Sequence, residues 1–121
     1  MSYDKTNPFA KILAGDLPCD LIYSDEFCIA FHSIDPKAKI HALVIPKGSY
    51  VDFNDFAIKA SQAEQFALNK AIINTAKVLG VFESGYRLIY NCGKNSGQTV
   101  FHLHCHILAG EQLSDDVNGE C

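Results

Sequence analysis

The sequence predicts an α+β domain: about five antiparallel strands, with one long helix inserted between the third and the fourth and one or two short helices besides. Strand-length apolar runs recur along the chain, each bounded by turn-forming residues. A single long segment opens on a capping box and closes at a glycine, the signature of a helix with defined ends. Near the C-terminus three histidines alternate with apolar residues, the period-two pattern of a strand with two different faces. The helices are expected to pack on one face of the sheet.

Asn7-Pro8 opens a short helix, a capping residue followed by proline in the first turn. Phe9, Ile12 and Leu13 form its apolar side, and Gly15 stands where it should stop. Leu21-Ile22-Tyr23 and Phe27-Cys28-Ile29-Ala30-Phe31 read as a hairpin across the polar turn Ser24-Asp25-Glu26. After a loop marked by Asp35-Pro36, the stretch from Ile40 to Ile45 is a third strand ended by Pro46-Lys47-Gly48. Val51 to Lys59 holds a short helical turn.

Ser61-Gln62-Ala63-Glu64 is the capping box, and the helix it starts should run to Leu79, with Gly80 as its stop. Lys70, Asn74 and Lys77 make a narrow polar stripe on it, while Phe66, Leu68, Ile72, Ile73, Ala76 and Leu79 cover most of the remaining circumference. A helix this apolar packs either in a tight monomer core or against a second subunit. The segment from Gly85 to Asn91 is a fourth strand. The polar loop from Cys92 to Thr99 leads into a fifth, from Val100 to Leu108. Residues 3–110 thus form the domain, and residues 111–121 a polar, flexible tail.

On that last strand His102, His104 and His106 should line one wet face, spaced roughly 6.5–7 Å apart. Leu103, Cys105 and Ile107 should point into the core. His41, at the start of the third strand, joins the row only if that strand lies beside it. Otherwise it is an incidental polar residue.

Composition narrows the partners. The chain has 121 residues, 48% of them hydrophobic, and a net charge of −4 with no cluster of Lys or Arg, which excludes nucleic acid and a polybasic membrane surface as main partners while leaving free nucleotides open. No apolar run approaches the ~20 residues of a membrane helix, and the first residues lack the apolar core of a signal peptide. Five cysteines, an odd number scattered without a CxxC, fit reduced thiols and a cytoplasmic protein.

Two chemistries suit a row of imidazoles. Zinc accepts neighbouring histidines, but the outer pair, roughly 13 Å apart on a strand, strains to share one ion. No cysteine or carboxylate stands at a ligand spacing, so neither a metal nor another cofactor is expected. Nucleophilic catalysis fits better. An imidazole near its ordinary ~6.5 attacks through one nitrogen while the other donates to a carbonyl that fixes its tautomer, and neighbouring rings handle the leaving group's proton. Phosphorus in a nucleotide ester or amide is a suitable target. The Gly97-Gln98-Thr99 turn stands ready to hold its oxygens. A pair of solvent-facing histidines without a task is the bland alternative.

The run Gln98-Thr99-Val100-Phe101-His102-Leu103-His104-Cys105-His106-Ile107-Leu108 resembles the signature of the histidine triad (HIT) superfamily. Gly97-Gln98-Thr99 and Ala109-Gly110 look more like its Hint branch than its Fhit branch. Ala30-Phe31-His32, the stretch His41 to Lys47, and Gly85-Tyr86-Arg87 with Asn91 extend the likeness, which spans about Asn7 to Gly110. The resemblance implies a HIT-like fold and a homodimer joined through an edge strand and the long helix. It also implies hydrolysis of purine nucleoside phosphoramidates, or of related conjugates such as acyl- and aminoacyl-adenylates.

In that setting His104 would be the nucleophile and carry a nucleotidyl intermediate. His106 would contact the phosphate or the leaving group, His102 would orient His104 through its carbonyl, and His41 would complete the network. Asn91, Gly97, Gln98 and Thr99 match phosphate- and ribose-side positions. Phe9, Ile12, Phe31, His32 and Ile34 match the base pocket, and Ser33 stands where relatives carry a ribose-gripping acid. Ala109 stands where glycine is usual, and the chain has no tryptophan. Dinucleoside polyphosphate hydrolysis, as in the Fhit branch, and a nucleotide-binding interaction module with incidental catalysis are the alternatives.

Overall fold

The computed structural model describes residues 2–118. The elements follow in the order α1 (Pro8–Leu13), β1 (Leu21–Ser24), β2 (Cys28–His32), β3 (Ile40–Pro46), α2 (Phe53–Lys59), α3 (Gln62–Val78), β4 (Arg87–Ile89) and β5 (Cys105–Ala109), with a 3-10 turn at Lys94–Ser96. The strands form one antiparallel sheet in the order β1-β2-β3-β5-β4, the α+β architecture expected.

Local chemistry sets the helix ends where the sequence places them. The Asn7 side chain accepts the Ala10 N–H at 2.9 Å, and Pro8 occupies the first turn where its missing N–H costs nothing. Ser61 and Glu64 complete the reciprocal capping box, and α3 closes at Leu79 before Gly80, whose φ is 74°.

Helices cover both faces of the sheet rather than one. Cys28, Ala30, Ala42, Val44, Cys105 and Ile107 point toward α3 and meet Leu68, Ala71 and Ile72, with Phe56 of α2. The alternate residues Ile29, Phe31, Leu43 and Ile45 point the other way and meet Phe9, Ile12 and Leu13 of α1. β2 and β3 are apolar at consecutive positions, so both faces need a cover.

The histidine segment also departs from the expected strand. Only Cys105–Ala109 pairs, and residues 100–104 leave the ladder. Extending the Val44↔Cys105 register by two residues brings Leu103 opposite Pro46, which has no N–H to offer. The Leu103 N–H goes instead to the Tyr50 carbonyl at 2.8 Å. The face carrying the histidines is not wet: His102, His104 and His106 are 0–2% exposed, while Leu103, Cys105 and Ile107 enter the core as expected. β4 is likewise shorter than the run from Gly85 to Asn91, because only Arg87–Ile89 finds partners on β5. On α3, Phe66 is 68% exposed rather than packed. Beyond Gly110, Arg87 Nη1 donates to the Ser114 carbonyl at 2.7 Å, and residues 119–121 of the expected tail lie outside the described residues.

Candidate active site

Register brings the histidines together. Leu43 pairs with His106 and His41 with Leu108, so His41 and His106 are diagonal neighbours on the α1 face of adjacent strands. Their Nε2 and Nδ1 atoms lie 2.9 Å apart. His104, one residue outside β5, has its ring centroid 4.9 Å from that of His106 and 5.0 Å from that of Phe9. His102 lies beneath, its Nε2 2.8 Å from the Pro46 carbonyl oxygen and its Nδ1 2.6 Å from the Tyr3 hydroxyl.

These contacts assign the protons, because a neutral imidazole has one donor and one acceptor nitrogen. A carbonyl only accepts, so His102 donates from Nε2 to Pro46, and its Nδ1 accepts from Tyr3. His104 donates from Nδ1 to the His102 carbonyl oxygen at 2.7 Å, which leaves the lone pair on its Nε2. The Lys37 N–H donates to His41 Nδ1 at 3.0 Å, so His41 donates from Nε2 to His106 Nδ1, and the His106 proton sits on Nε2. That Nε2 is buried and makes no hydrogen bond among the described residues. A buried donor without a partner costs about 1–3 kcal/mol, which an incoming oxygen or nitrogen atom would recover.

Electrostatics agree with neutral rings. Burial lowers His102 to about 4, and burial followed by the nearness of His104 and His41 lowers His106 to about 3.

Beside the histidines lies a cavity of about 550 Å³, within the size range of small-molecule sites. Phe9, Ile12, Phe31, His32 and Ile34, the five residues expected around a base, all line it, as does Ser33, expected on the ribose side. Phe9 belongs to both the cavity wall and the His104 contact, and so joins pocket to imidazole. Asn91 is half-buried two residues beyond the Ile89↔His106 pair, which by register is level with His104. Gly97 ends the 3-10 turn with φ 91°, and Thr99 is exposed beside it. The Gln98 side chain holds the loop itself: its Nε2 donates to the Val51 and Val100 carbonyls, and its Oε1 accepts the Gly93 N–H.

Sequence reasoning missed Tyr3 and the Pro46 carbonyl, 99 and 56 residues from the ring they hold, and the Lys37 amide, four residues from His41. It also missed Cys19, Leu43 and Val100 in the cavity wall. For Leu43 and Val100 the signal in the sequence is period two: Leu43 lies two residues from His41, and Val100 two from His102.

A HIT-domain family model matches residues 14–113. The chain belongs to the HIT family. Among HIT relatives, an uncharacterised HIT-like protein of Azospirillum brasilense is 46% identical over 112 residues, covering 93% of this chain and 92% of its own. The purine nucleoside phosphoramidase of Escherichia coli K12 is 38% identical over 108 residues, with 87% of each chain covered. In three dimensions, a HIT family hydrolase from Clostridium thermocellum superposes with a TM-score of 0.84 at 40% identity, over 94% of this chain and 98% of that one. A histidine triad protein from Clostridium difficile gives 0.82 at 36% identity, over 95% and 98%. The HIT fold expected from the histidine signature is therefore the fold observed.

Proposed function

We propose that this HIT protein hydrolyses purine nucleoside 5'-phosphoramidates or chemically related adenylates through a nucleotidyl-His104 intermediate. The observation that carries the reading is the fixed tautomer of His104: Nδ1–H is held by the His102 carbonyl, so Nε2 presents its lone pair beside His106. The base occupies the apolar cavity, and the phosphorus lies toward the histidines. Because Phe9 stands between the cavity and His104, which is 2% exposed, its ring turns aside as the phosphate enters.

His104 Nε2 then forms a bond to phosphorus while the P–N bond breaks. The amine departs with the proton that His106 Nε2–H gives it, and the attacking water later returns one to His106. His106 Nε2–H steadies a phosphoryl oxygen or the departing nitrogen, backed by His41. Water attacks phosphorus in the second step, releasing the nucleoside monophosphate and restoring His104. Asn91 and the Gly97–Thr99 turn supply phosphate- and ribose-side contacts, Gln98 mainly by holding the loop. The relative from Escherichia coli that bears the phosphoramidase name supports this substrate class.

The reading includes a homodimer. β4 is a free sheet edge with Leu88 45% exposed, and Phe53, Phe66, Val78 and Phe82 are further exposed apolar residues, more than a lone domain needs. It also includes a cytoplasmic location, with neither nucleic acid nor membrane as partner. No helix among the described residues is long and apolar enough to cross a membrane.

The test is a side-by-side assay of nucleoside phosphoramidates, acyl-adenylates and diadenosine polyphosphates. Phosphoramidates should give the highest kcat/KM. Turnover confined to diadenosine polyphosphates would replace this reading with the dinucleoside polyphosphate one, and binding without turnover of any would leave an interaction module.

A further inference from the structure

We propose that Tyr3 is a positioning residue for the reaction: its hydroxyl fixes the ring of His102 and, through it, the carbonyl that sets the His104 tautomer. This inference rests on the functional reading above. His102 is fully buried and neutral, so both of its nitrogens need partners inside the protein. Pro46 satisfies Nε2 from the end of β3, and Tyr3 satisfies Nδ1 from 99 residues away in sequence. The Tyr3 and His102 rings also meet edge to face, with centroids 5.6 Å apart.

The chain around Tyr3 is itself held. The Asp4 side chain accepts from the Thr6 N–H and hydroxyl at 2.8 and 2.6 Å, and the Asp4 carbonyl accepts from Asn7 Nδ2 at 2.8 Å. Asn7 in turn caps α1, which carries Phe9. One turn thus places the Tyr3 hydroxyl under His102 and the Phe9 ring against His104. Because residues 100–104 run outside the ladder, no strand pairing holds the His102 carbonyl in place. The ring contacts at Pro46 and Tyr3 and the Leu103–Tyr50 bond take over that task.

Tyr3→Phe removes the donor and keeps the ring contact, so the fold should survive. In the tag-free full chain, the variant should form the nucleotidyl adduct on His104 and turn over about tenfold more slowly, the effect of losing one buried hydrogen bond. KM should stay near wild type, Tm should fall by several degrees as the buried Nδ1 loses its partner, and the His102 Nδ1 resonance in long-range proton–nitrogen spectra should move. A purely packing role would leave that resonance in place and act through Tm alone. An unchanged His102 resonance, or an unchanged adduct rate, overturns the inference. A wild-type chain that forms no adduct on His104 overturns the functional reading instead, and the His102 spectrum then still decides whether Tyr3 holds the ring.

Discussion

His104 donates its Nδ1 proton to the carbonyl oxygen of His102, two residues earlier in the same chain, across 2.7 Å. A side chain bonded this locally cannot turn over without breaking the contact, so the nitrogen that carries the lone pair is a property of the backbone path. That path is unusual because it lies just beyond the end of β5, where Pro46 interrupts the ladder. The proline that stops the sheet thereby frees its own carbonyl for His102 and lets the chain bring three imidazoles close together.

The four buried rings should show one tautomer each in long-range proton–nitrogen spectra near neutral pH. His41, His102 and His106 should be protonated at Nε2, and His104 at Nδ1. A His104 signal with the proton on Nε2 would remove the nucleophile's lone pair from the site. His41→Phe, which deletes the donor to His106 Nδ1, should lower kcat about tenfold or more while leaving the His104 tautomer in place.

Acid should weaken the fold in a defined window. His102 and His106 are held at about 4 and about 3, whereas unfolded histidine titrates near 6.5, the ordinary value. Between those limits the unfolded chain binds protons that the native rings refuse, so stability falls as pH drops from about 6.5 toward 4. Each ring contributes up to about 1.4 kcal/mol per pH unit across that window. Urea unfolding of wild type and His106→Gln at pH 7, 6 and 5 measures it. The variant should lose stability with a slope smaller by about one proton, and equal slopes would contradict a neutral His106.

Leu88 sits on the free edge strand with nearly half of its surface exposed. In a dimer formed there, Leu88→Asp would place a charge against its own copy. Sedimentation should show a dimer for wild type and a monomer for the variant, with a secondary-structure spectrum unchanged. A monomeric wild type would leave the exposed apolar surface to another partner.

Much of this fold was legible because its signals are local. Asn7-Pro8, the Ser61–Glu64 box and Gly80 mark helix ends through contacts only a few residues long, and all three were read correctly. That the five residues expected around a base line one cavity, and that the histidines come together, was also legible, carried by the likeness to the HIT signature. What escaped was set by distance. The cover on both sheet faces follows from the unbroken apolar runs in β2 and β3, a pattern present in the sequence but easily taken for simple alternation. The early end of the histidine strand depends on Pro46 facing Leu103, a register that only the folded sheet defines. Tyr3 bears no local mark at all, because its partner is 99 residues away.

The decisive measurement is single-turnover labelling with a nucleoside phosphoramidate that carries a labelled phosphorus, followed by acid-free quenching and peptide mapping. Wild type should carry the nucleotidyl group on His104. His104→Ala should carry none, retain nucleotide binding by calorimetry, and hydrolyse the substrate at least about a thousandfold more slowly. Label of equal extent in His104→Ala, or label mapped to another residue in wild type, would contradict the proposed chemistry.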